Sequence, residues 1–128
     1  MFWKIYTASL FTASGQFDSN STEYALELHY ARDISQKQLI EATAEQWQYL
    51  GVDESIYTQW LPLLENIWPD INKGDRLTLH VTPTTSRFIL NGDDIGSIKD
   101  SQFGSTFSDI WLSERSKYPR LRRRLIGK

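Results

Sequence analysis

The chain has 128 residues, the length of one domain, and is long enough to bury a core. Its net charge of -2 gives no general pull toward nucleic acid, and it contains no cysteine, which excludes disulfides, thiolate metal sites and a cysteine nucleophile. No run approaches the ~20 apolar residues of a membrane span, and Met1 to Phe11 is too interrupted to read as a signal peptide.

Phe2 to Thr12 is aromatic and β-branched and predicts a first strand. Ser14-Gly15 ends it, and Asp18 to Ser21 makes the turn. From Thr22 to Tyr30, Tyr24, Leu26, Leu28 and Tyr30 alternate with polar or small residues, as in a half-buried strand paired with the first. Ser35 then caps a helix, with Gln38 placed to close a capping box. Leu39, Ile40, Ala42, Thr43, Gln46, Trp47 and Leu50 share one side of that helix, and Gly51 stops it.

Asp53 opens a second helix that runs to about Trp68. Its apolar side carries Ile56, Trp60, Leu63, Leu64 and Ile67, and Pro62 is expected to kink it. After the turn Asn72 to Asp75, Arg76–Thr82 and Arg87–Leu90 read as strands. Asn91-Gly92 then makes a hairpin into a strand from Asp94 to Ile98. Asp100–Leu112 is helical with Phe103, Phe107, Ile110 and Trp111 as its stripe, and Pro119–Ile126 is a last, arginine-rich helix ended by Gly127. Runs of antiparallel strands beside runs of helices define an α+β domain over residues 1–128, with helices on one face of a curved antiparallel sheet.

The chemistry-bearing residues do not assemble into a complete active site. His29 and His80 are the two histidines, on the polar sides of predicted strands, where they could meet across the sheet. Arg32-Asp33 suggests a local ion pair, and Asp93-Asp94 reads as a solvated turn. No nucleophile elbow or phosphate loop occurs. Aromatic residues make up 13% of the chain, with five tryptophans, enough both to fill a core and to border an apolar cleft. Trp47, Trp60, Trp68 and Trp111 are read as core. Basic residues crowd the end of the chain, from Arg115 to Lys128, either as a solvated helix face or as a contact for an acidic partner.

One stretch is more telling. Phe88 to Ser113 runs through Asn91-Gly92, Ile95-Gly96-Ser97-Ile98-Lys99-Asp100 and Phe103 to a helix ending Ile110-Trp111-Leu112-Ser113. It resembles the chalcone isomerase-like superfamily, in particular its bacterial, functionally uncharacterised branch. So do Gln46 to Gly51, Ile67 to Ile71 followed by Lys73-Gly74-Asp75, the opening Lys4 to Phe11, and the closing Pro119 to Arg122 with Leu125 to Gly127. The resemblance implies an open-faced β-sandwich whose cleft, between sheet and helices, holds an apolar ligand: a chalcone in the plant isomerases, a fatty acid in other members.

The family's catalytic set does not carry over. Its arginine would precede Met1, and its tyrosine and asparagine fall near Ser35 and Ala42, whose side chains cannot do that work. A strand threonine falls at Tyr6 or Thr7, on opposite faces of the strand. The expected function is a non-catalytic domain binding an apolar or fatty-acid-like molecule, with Tyr6, Leu10, Leu39, Thr43, Trp47 and Phe88 as wall residues and no metal or cofactor. Two alternatives stand beside it. One is an isomerase or lyase for a chalcone-like substrate, working through Arg32, His29 or His80. The other is a protein-interaction module using Arg120, Arg122, Arg123 and Arg124. By resemblance alone, the periplasm is the favoured compartment.

Overall fold

A computed structural model of the chain describes residues 6–12 and 23–127. The predicted strand residues Phe2 to Ile5 and the turn from Ser14 to Ser21 lie outside them. Five strands run in sequence order across one antiparallel sheet: β1 Tyr6–Thr12, β2 Tyr24–Tyr30, β3 Arg76–Val81, β4 Ser86–Leu90 and β5 Asp93–Ile98. Strand alternation decides the faces. Tyr24, Leu26, Leu28 and Tyr30 of β2, with Leu77, Leu79 and Val81 of β3, are buried toward the helices. The opposite face carries ion pairs at its surface, Glu27 with Arg76 at 2.8 Å and Arg87 with Asp94 at 3.0 Å. One face packed and one open is the expected open-faced α+β architecture.

The β4–β5 hairpin turns where predicted. Asn91 and Gly92 both take positive φ, 52° and 90°, which the tight turn requires. A bulge between Phe88 and Ile89 shifts the register of this pair.

The helices cover the apolar face. α1, Gln36–Tyr49, starts from a complete capping box: the Ser35 hydroxyl accepts from the Gln38 N–H at 3.1 Å, and the Gln38 carbonyl accepts from the Ser35 N–H at 3.0 Å. Its N-terminus is pinned to the chain ahead of β3, because Asp70 accepts from the Gln36 N–H at 2.8 Å and Ile34 exchanges two backbone bonds with Ile71.

The long helix expected from Asp53 to Trp68 is two short ones, α2 Glu54–Tyr57 and α3 Leu61–Ile67. Pro62 lies in the first turn of α3 and starts a helix instead of kinking one. In that position its missing N–H leaves no helical bond unmade. The break also changes the helical phase. Trp60 and Leu64 are buried, but Ile56 and Leu63, expected on the apolar side, are 37% and 43% exposed.

α4, Phe103–Leu112, is the most buried helix, and its approach to the sheet depends on Gly104. A Cβ there would lie 2.6 Å from the Ser86 hydroxyl and 2.7 Å from a Val81 methyl, closer than atoms can pack. α5, Pro119–Leu125, closes the described fold. Between helices and sheet lies a continuous ring cluster. Trp47 packs against Tyr57, Trp60, Phe103 and Phe107, and Trp68 meets Phe88 edge-on at 5.4 Å. Trp47, Trp60, Trp68 and Trp111 are all core residues, as read.

Candidate functional site

The aromatic cluster fills the space under α2, α3 and the first turns of α4. It does not fill the other end of the sheet. There α1, the C-terminal half of α4 and the start of β1 border a partly open cavity of about 60 Å³. Its floor is Leu28 and Leu77 from the sheet, and Phe107, Ile110 and Trp111 of α4 form one wall. Leu39, Ala42, Thr43 and Gln46 supply the α1 wall, because residues three and four apart share a helix face. Tyr6, Tyr30 and Tyr118 stand around it. An open groove of about 370 Å³ adjoins this cavity, sharing Tyr6, Tyr30, Leu39, Ala42 and Glu45 with it and adding Arg32, Asp33 and Glu41 at the surface.

The polar atoms here are few and mostly committed. Trp111 donates its indole N–H to the Tyr6 hydroxyl at 2.7 Å, joining α4 to β1. Thr43 turns its hydroxyl back to the Leu39 carbonyl at 2.8 Å, so its methyl is what it offers the cavity. The Gln46 amide donates to the Tyr118 hydroxyl at 3.2 Å. Burial pushes the Tyr6 and Tyr30 hydroxyls well above their ordinary range, and their mutual proximity raises the second further. Both phenols are neutral near neutral pH, and neither is poised as a base.

The six expected wall residues separate into three groups. Tyr6, Leu39 and Thr43 line the cavity together. Leu10 faces a different groove, between β1 and α5, beside Leu121 and Leu125. Trp47 and Phe88 are fully buried in the ring cluster and line neither space. Periodicity marks a face as buried, but it does not separate a packed position from one beside a void. The residues it missed, Leu28, Leu77 and Tyr118, needed the sheet register and the course of the chain after α4. Tyr6 points toward the helices and Thr7 away. Ser35 is taken up by its capping box, while Ala42 lies on the cavity wall.

The alternative polar groups are scattered. His80 pairs across the sheet with Ala25 and His29 with Arg76, four positions apart along β2, about 13 Å at ~3.3 Å per residue. The two histidines therefore do not meet. His80 contacts Glu23 at 3.2 Å on the open face. Asp33 accepts from the Lys73 N–H at 2.8 Å and pins a turn instead of pairing with Arg32. Among the described residues no group of three or more His, Cys, Asp or Glu could hold a metal ion. No helix among them is long and apolar enough to cross a membrane. In α5, Arg122 donates to the Leu112 carbonyl at 2.9 Å, while Arg120, Arg123 and Arg124 border a surface groove that shares no residue with the cavity.

Comparison with known proteins places this geometry. An uncharacterised protein of Haemophilus influenzae is 26% identical over 124 residues, covering 97% of this chain and 61% of that relative. The crystal structure of an Arabidopsis thaliana fatty-acid binding protein superposes with a TM-score of 0.65 at 12% identity, over 81% of this chain and 55% of the other. This chain thus spans somewhat more than half the length of either protein. The family model described as chalcone isomerase-like matches residues 1–127, and the chain belongs to that family.

Proposed function

We propose that this is a non-catalytic chalcone isomerase-like domain that binds an apolar or fatty-acid-like small molecule in the cavity between α1, α4 and the sheet. The observation that carries the reading is the cavity itself, a gap floored by Leu28 and Leu77 and walled by Leu39, Phe107 and Ile110 beside the packed ring cluster. Family membership supports it, as does the fold shared with a protein described as fatty-acid binding. The state of the lining groups favours binding over turnover: the buried tyrosines stay protonated, Thr43 spends its hydroxyl on its own helix, and the lining carboxylate, Glu45, is exposed at the groove.

At about 60 Å³ the cavity is smaller than the ~300 Å³ at which ligand pockets begin, so a ligand must enlarge it. The adjoining groove supplies the route. Leu39, half-buried, borders both spaces. Titration with dodecanoic acid in a calorimeter should show saturable one-to-one binding with a negative heat-capacity change, the mark of buried apolar surface. Thr43→Trp and the milder Ala42→Leu both fill the cavity and should weaken that binding at least tenfold while circular dichroism stays native. Unchanged binding in folded variants, or turnover of a chalcone by the wild type, would refute the proposal.

A further inference from the structure

A sheet that runs in order from β1 to β5 has two edges, and the chain treats them differently. The β5 edge is blunted. Asp93 and Asp94 stand on it, its pairing with β4 passes through a bulge, and α3 lies so close that a Cβ on Gly96 would be 2.9 Å from Ile67 Cγ1. β1 has none of these devices. Tyr6–Thr12 holds no charge, proline or glycine, and it pairs with β2 in unbroken register along its length.

The register decides which backbone groups of β1 face outward. Tyr30 donates to the Asp75 carbonyl and accepts from the Gly74 N–H, beside β3. The alternate residues of β2, His29, Glu27 and Ala25, therefore turn their backbone groups toward β1. Their partners Thr7, Ser9 and Phe11 are thereby used, and Tyr6, Ala8 and Leu10 present N–H and C=O groups to the outside. None of these outward groups bonds to a described residue. Tyr6 to Leu10, from both faces of the strand, line one groove of about 350 Å³ with Leu121, Arg124 and Leu125 of α5, so the groove follows the strand's edge. Arg124 also borders a neighbouring groove with Arg120 and Arg123, and no carboxylate among the described residues pairs with any of the three.

We infer that the β1 edge takes an extended segment of a partner protein as a further strand, with acidic side chains set against the α5 arginines. Main-chain bonds to Tyr6, Ala8 and Leu10 hold the segment, and the register sorts its side chains. Those opposite Tyr6, Ala8 and Leu10 lie on the helix side of the sheet. There Leu121 and Leu125 receive apolar groups, and Arg124, with Arg120 and Arg123 beyond it, receives carboxylates. A second copy of this chain is the poorer occupant. Antiparallel pairing of two β1 strands brings both copies of α5 to the same side of the seam, arginine against arginine.

The test uses the whole chain and an acetylated octapeptide in which threonine alternates with valine, valine, glutamate and glutamate in turn. Calorimetry should show saturable one-to-one binding. Lysine in place of both glutamates should weaken it at least about tenfold. Methylation of the two valine nitrogens, which removes bonds to β1 and leaves every side chain in place, should do the same. Amide hydrogen exchange at Ala8 and Leu10 should slow in the complex, while that at Thr7 and Ser9, already paired with β2, changes little. Arg124→Glu, at an exposed position, should reverse the preference between the acidic and the lysine peptide. No binding, or binding that survives methylation with exchange at Ala8 and Leu10 unchanged, would overturn the inference. So would a concentration-dependent dimer in sedimentation with those two amides protected, which assigns the edge to a second copy.

Discussion

Tyr6 and Tyr30 face each other edge to face, with ring centroids 5.6 Å apart, where β1 and β2 meet the cavity. Their hydroxyls are desolvated, so folding holds them neutral beyond the pH at which an exposed phenol ionises. The sign follows from linkage. Below the unfolded value of 10 both states keep the proton and stability is unaffected; above it the unfolded chain releases protons that the folded chain retains. Stability is therefore fully present up to about pH 10 and falls as pH rises toward the folded values, by up to ~1.4 kcal/mol per pH unit for each tyrosine. Urea unfolding between pH 8 and 11 should show the decline, and Tyr30→Phe should make it shallower. A flat profile in the wild type would mean that these hydroxyls are solvated.

The α1 helix positions the cavity wall, and its start is the feature that does so. Ser35→Ala removes one half of the capping box and should cost about 1 kcal/mol in urea unfolding. Because Leu39, Ala42, Thr43 and Gln46 ride on that helix, the same change should also weaken ligand binding; a loss of stability with unchanged affinity would separate the cap from the site. Gly104→Ala tests the other wall. With Ser86 and Val81 too close for a methyl, α4 must shift, at a cost of about 1–3 kcal/mol. Stability unchanged in that variant would contradict the close approach of α4 to β3 and β4.

At this scale much was legible beforehand. The capping box, the Asn91-Gly92 turn and the alternation through Tyr24 to Tyr30 are local signals, and each produced the element expected of it. The helix from Asp53 to Trp68 was not, because apolar spacing alone does not show that one short helix ends at Tyr57 and that Trp60 precedes the next, with Pro62 in its first turn. The cavity was only half legible. Tyr6, Leu39 and Thr43 stand on faces that periodicity identifies, whereas the placement of Trp47 and Phe88 in the filled end of the core depends on how rings from four elements interlock.

Across the whole molecule, one face of a five-stranded meander is open to solvent and the other is covered by helices that pack fully at one end and leave a gap at the other. That asymmetry is what the binding role rests on: rings border the second end without filling it, and Ala42 and Thr43 face the gap from α1. The most direct measurement is native mass spectrometry of freshly purified protein, with organic extraction of whatever is released. The account predicts a one-to-one adduct that yields an aliphatic molecule, or, where the protein arrives empty, one-to-one uptake of added dodecanoic acid that Thr43→Trp abolishes. A bare mass that stays bare in excess dodecanoic acid, from protein that is folded, would contradict it.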